Sequence, residues 1–243
     1  MQWTLLKPAL AKVANPEELA SAVALNGNIL VRFLALISAY AIFTNASAAF
    51  GTQALAENGL LLQIALLSQF TVQGVGMTSQ TLIGNFKGKG NVEQILPVLR
   101  VALLTGLAIA LAFALSTVLQ PVAVFKLLTN HAEVSQAMQQ YTLWLLPLLS
   151  LTAVAFMLES YFTGIKDGVA LRKGAMFSFG GGFLPLILLG MYQKNENLLW
   201  GALVAYMGLL LLFLSYRLVK THRQLTTENA DSEEADIGEA QTV

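Results

Sequence analysis

Gln69, Gln73, Gly76 and Gln80 are spaced four, three and four residues apart, which puts them on one face of a helix. With Thr71, Thr78, Ser79 and Thr81 around it, this stripe offers hydrogen-bond donors and acceptors but no charge. Amides of this kind can bind a polar solute or join neighbouring helices; they cannot carry a proton. Gln63 lies upstream in the same segment, and Asn45 in the one before it. All five polar residues (Asn45, Gln63, Gln69, Gln73 and Gln80) are candidates for a solute pathway. Glu159 is the one carboxylate expected inside an apolar stretch, where acids are costly and often mark ion or proton relays. Its competing reading is a pair with Lys166, Arg172 or Lys173 in the loop that follows. Arg32 is expected to snorkel to the membrane interface, with a charge pair to Glu159 as the alternative.

Catalytic chemistry has no foothold. GNFKGKG lacks the spacing of a phosphate-binding loop, and GVGMTS is not GxGxxG. The two histidines, His131 and His222, fall in a loop and a tail, so no histidine-based metal cluster or catalytic triad is expected. There are no cysteines, and the formal net charge of zero gives no reason to expect nucleic acid. The chain is expected to be neither an enzyme nor a cofactor protein.

The elements that position these residues follow from composition. Of 243 residues, 56% are hydrophobic and 12% charged, about half the charged fraction usual for a soluble domain. Lipid is therefore the expected solvent. Six stretches, near 25–50, 59–84, 96–119, 137–162, 174–192 and 198–219, are long enough to span a bilayer, and backbone satisfaction in hydrocarbon makes them helices. The expected class is an all-α integral membrane protein built as a bundle of six transmembrane helices. Pro147 in the fourth stretch, and Gly180, Gly181, Gly182 and Pro185 in the fifth, are places where a helix can bend.

With six spans both termini share a side. Placing them inside puts twelve of the fourteen lysines and arginines in cytoplasmic segments and leaves Lys126 and Lys194 outside, as the positive-inside bias requires. Residues 1–22 read as a cytoplasmic linker or a short interfacial helix, with Trp3, Leu6, Leu10 and Val13 on one face, and lack a cleavable signal pattern. Residues 23–219 form the membrane lobe. Residues 220–243, with six acidic side chains in LTTENADSEEADIGEAQTV, are expected to be a disordered cytoplasmic tail.

Three segments carry a family resemblance: RFLALISAYAIFTNASAAFGTQALAENGLLLQ, QGVGMTSQTLIGNFKGKG and WLLPLLSLTAVAFMLESYFTGIKDGVALRK. Together they resemble the second half of a MATE (multidrug and toxic compound extrusion) transporter, most closely the DinF-like branch. The resemblance implies a bacterial inner-membrane antiporter with two six-helix lobes around a central cavity, driven by inward proton or sodium flow. This chain would supply helices seven to twelve. Gln73-Gly74 stands where related sequences tend to carry Asp-Gly, Gln80 where they tend to carry a glutamate, and Glu159-Ser160 where they tend to carry Asp-Gly. Coupling within this lobe would then rest on Glu159, or on residues of the other lobe.

The expected partners are the bilayer, a small organic substrate and a second six-helix lobe, either a separate chain or a second copy. The competing expectation is a non-transporting truncated or partner subunit.

Overall fold

The computed structural model describes residues 16–128 and 138–240. Among them, six helical stretches are long and apolar enough to cross a bilayer: Ala22–Ala49, Thr52–Gly88, Val92–Leu119, Tyr141–Gly164, Gly168–Gln193 and Glu196–Thr227. Each of the six stretches expected from the sequence falls on one of these helices. The main helices are α1 (Pro16–Ala49), α2 (Thr52–Gly88), α3 (Ile95–Leu119), the short α4 (Pro121–Leu128), α5 (Leu145–Gly164), α6 (Gly168–Ser178), α7 (Leu184–Gln193) and α8 (Glu196–Ala240). The 37 residues of α2 rise about 55 Å, well beyond the hydrocarbon thickness, so both of its ends project past the apolar layer.

Helix α5 is the axis of the bundle. Thirteen of its 20 residues are buried, against seven of 25 in α3, because α5 packs on α2, α3 and α8 together while α3 turns Val101, Leu104 and Leu119 outward. Small residues set the close spacing. A Cβ on Gly76 would meet Ser160 Oγ at 2.6 Å, and one on Gly164 would meet the Gln80 carbonyl at 2.8 Å; α2 and α5 therefore touch backbone to backbone. Pro147 lies in the first turn of α5, where a missing N–H leaves no bond unmade. The irregularity lies in the fifth span, which passes from α6 through a π-helical turn at Phe179–Phe183 into α7.

Two expectations are corrected. The acidic tail is not disordered from residue 220: α8 continues through Ala240. Its Ala- and Glu-rich sequence extends a helix already nucleated in the sixth span, so the costly first turn does not have to be formed again. Carboxylates within the spans are also not limited to Glu159, since Glu57 lies in the second turn of α2 and is buried. The interfacial helix expected at the N-terminus falls largely on residues 1–15, outside the described residues, as does His131; from Pro16 onward the chain is already part of α1.

Candidate functional site

Four helices line one cavity of about 190 Å³, three of them with polar or aromatic side chains and α6 with Leu171. Helix α1 contributes Arg32 and Phe33, α2 contributes Gln73 and Gln80, and α5 contributes Phe156 and Glu159. On α5 the lining residues Phe156, Glu159, Ser160 and Thr163 recur at the three- and four-residue intervals that keep one helical face turned inward. A wider vestibule of about 670 Å³ adjoins it, with Ile29, Gln80 and Thr163 lining both. The vestibule lies at the basic end of the bundle and takes its polar surface from Asn26, Asn85, Lys87 and Lys166.

The charged centre is an ion pair. Arg32 Nε donates to Glu159 Oε1 at 2.5 Å, and a terminal guanidinium nitrogen donates to Oε2. Both side chains are buried, a situation charged groups tolerate only when paired and hydrogen-bonded. The guanidinium also lies over the rings of Phe33 and Phe156, 4.6 and 5.1 Å from their centroids, a cation–π arrangement. Tyr40 and Tyr206 stand within electrostatic reach of both charges. The snorkelling expected of Arg32 is therefore overturned. The long Arg32 and Glu159 side chains meet across the space between α1 and α5, and Glu159 offers two oxygens where the interface offers water. Lys166, in the turn after α5, and Arg172 and Lys173, on α6, are exposed and leave Glu159 to Arg32.

The remaining candidates divide by depth and face. Gln73 and Gln80 line the cavity. Gln69 is buried one turn deeper and accepts a hydrogen bond of 2.7 Å from the Tyr40 hydroxyl. Asn45 is exposed and donates to the Ala41 carbonyl of its own helix at 2.8 Å. Gln63 is also exposed. Neither joins the cavity, because each sits on another side of its helix.

A second polar centre, toward the opposite end, was not foreseen. Trp200 Nε1 donates to Asn58 Oδ1 at 2.9 Å, and Asn58 Nδ2 donates to Ser47 Oγ at 3.1 Å. All three side chains are inaccessible to solvent, and Phe43 packs edge-on against the Trp200 ring with centroids 5.0 Å apart. The chain of bonds fastens α1, α2 and α8. Nearby lie the buried Glu57 of α2 and Glu196 at the start of α8, the latter with one carboxylate oxygen buried and without a hydrogen-bond partner among the described residues. The one sequence signal for this centre was an Asn and a Trp in otherwise apolar segments. Their pairing spans 142 positions and only the fold reveals it.

Comparisons with known proteins agree with this architecture. A family model described as MatE matches residues 29–188. The chain is 24% identical over 187 residues to the DNA damage-inducible protein F of Escherichia coli (strain K12), covering 77% of this chain and 40% of that protein. In structure it is similar to a crystal structure of a mutant of the Vibrio cholerae MATE transporter VcmN, with a TM-score of 0.75 and 20% identity. That match covers 89% of this chain and 53% of the other. The chain thus spans roughly half the length of these proteins.

Proposed function

Because the chain belongs to the MatE family, we propose that it works as one six-helix lobe of a secondary efflux transporter, exporting a small organic compound against inward proton or sodium flow. The observation that carries the reading is the buried Arg32–Glu159 pair on the wall of a cavity that adjoins a vestibule at the basic end. Glu159 is the group that meets the coupling ion. Both of its oxygens are held by Arg32, so an arriving proton or sodium ion must loosen that grip. The grip joins α1 to α5, and loosening it changes how the two helices are held. Ion binding then carries a differential free energy between two arrangements of the lobe, which coupled transport requires. Gln73 and Gln80, neutral and facing the same space, hydrogen-bond the cargo.

In this reading the basic end faces the cytoplasm of a bacterial inner membrane, as the lysine and arginine bias predicts. A second six-helix unit closes the other wall of the pathway. The test is gradient-driven flux in proteoliposomes holding the complex purified from its own membrane. Glu159→Gln should abolish ion-coupled export, and unchanged flux would remove Glu159 from the coupling role.

A second reading is a membrane subunit that keeps the fold but carries no flux of its own. The native mass of the gently extracted complex separates the two. A species of twice the 26.1 kDa chain, or one with a further six-helix unit, supports transport; an isolated chain supports the second reading.

A further inference from the structure

An arginine offers two hydrogen-bonding edges, one formed by Nε with a terminal nitrogen and one formed by the two terminal nitrogens. Glu159 occupies the first edge of Arg32, through Nε and Nη2. The remaining nitrogen, Nη1, has no hydrogen-bond partner among the described residues, and Arg32 lines the cavity. The guanidinium lies over Phe33 and Phe156, so the rings cover its face and not its edges. Beyond the cavity, the vestibule presents Lys87 and Lys166 and no carboxylate among its lining residues.

We propose that the unused edge of Arg32 binds the carboxylate of a small, flat organic anion that arrives through the vestibule of Lys87 and Lys166. The proposal deepens the efflux reading and rests on it only in calling this anion the cargo. A second carboxylate on Arg32 repeats the bidentate geometry already present with Glu159, while Phe33 and Phe156 give the cavity an apolar border for a planar body and the amides of Gln73 and Gln80, lining the same space, offer hydrogen bonds to its remaining polar atoms. A cationic solute meets the opposite conditions. It passes two ammonium groups, shares the cavity with a guanidinium, and finds both oxygens of Glu159 already bonded.

This arrangement has a distinctive signature. Glu159 is a like charge beside the incoming carboxylate, so removing it should strengthen anion binding, whereas a cation site would lose its counter-charge. The experiment is saturation-transfer NMR on the full chain in detergent, with benzoate, benzylammonium and benzyl alcohol as probes of one ring and three charges. The expected result is saturation of benzoate alone. Glu159→Gln should tighten benzoate by about tenfold or more, the scale of one like charge removed at short range in a partly screened site.

Arg32→Gln should abolish benzoate binding. Because that variant leaves Glu159 unpaired and can fail to fold, Arg32→Gln/Glu159→Gln serves as its partner: it leaves no charge at this site and should also fail to bind. The proposal is overturned if benzylammonium is the probe that saturates, if neither charged probe does, if Glu159→Gln weakens benzoate, or if the folded double variant still binds it. Benzoate bound but never moved in proteoliposomes would overturn the transport reading and leave this site standing.

Discussion

Near the basic end, two full charges share a wall with a cavity; toward the other end, three neutral groups are shut away from solvent. Arg32 and Glu159 are bonded to each other, yet Nη1 of the guanidinium has no hydrogen-bond partner among the described residues, and Arg32 lines the cavity. Ser47, Asn58 and Trp200 are linked in series and wholly buried. Neutral groups satisfied by one another cost little to bury and gain little by rearranging, so the far end reads as a fastening. Charges balanced only by each other are costly to separate, and a small change at either one has large consequences. The same bundle thus holds one polar centre built to stay and one built to be disturbed.

The largest expected effect tests the fastening. Trp200→Ala removes the ring on Phe43 and the donor to Asn58, and should lower unfolding free energy by about 3–5 kcal/mol, while benzoate binding per folded molecule is kept. A stability close to that of the unaltered protein would mean the far end fastens nothing. Next, Arg32→Gln should lower stability by about 3–5 kcal/mol because it strands a buried carboxylate, and adding Glu159→Gln should restore most of the loss. A double variant as unstable as the single one would show that shape, not charge balance, holds α1 to α5.

Gly164→Ala places a methyl 2.8 Å from the Gln80 carbonyl and should cost about 1–3 kcal/mol by forcing α2 and α5 apart; unchanged unfolding would mean the contact yields freely. Gln73→Leu with Gln80→Leu should change stability by less than about 1 kcal/mol yet alter the range of compounds exported; a fall in folding yield alone would make these amides packing groups. Gln63→Leu, on an outward face, should leave stability within about 0.5 kcal/mol and export untouched.

Much of the fold can be read from the sequence, since hydropathy marks six spans and periodicity turns Gln73 and Gln80 to the same side as Gly76. Periodicity also holds information that composition hides. Gln63 precedes Gln69 by six residues, about 240° around the helix, which already separates it from the stripe. Glu57 was missed because the apolar run of the second span begins after it, although the helix starts at Thr52. For Arg32 the sequence left two outlets open, interfacial water and the buried acid Glu159, and only the fold selects the second. The Ser47–Asn58–Trp200 chain depends on contacts far apart in sequence, and no local pattern encodes those.

Lys87, on the rim of the vestibule, donates to the carbonyl oxygen of Ile165 at 2.8 Å. Its partner is main chain, and every residue type carries that acceptor. The side chain at position 165 is thereby released from any role in holding the rim and answers only to the packing around it. Position 87 has no such freedom, because only a long donor reaches across. The two positions are therefore held by different demands, an apolar shape that packs at 165 and a long donor at 87.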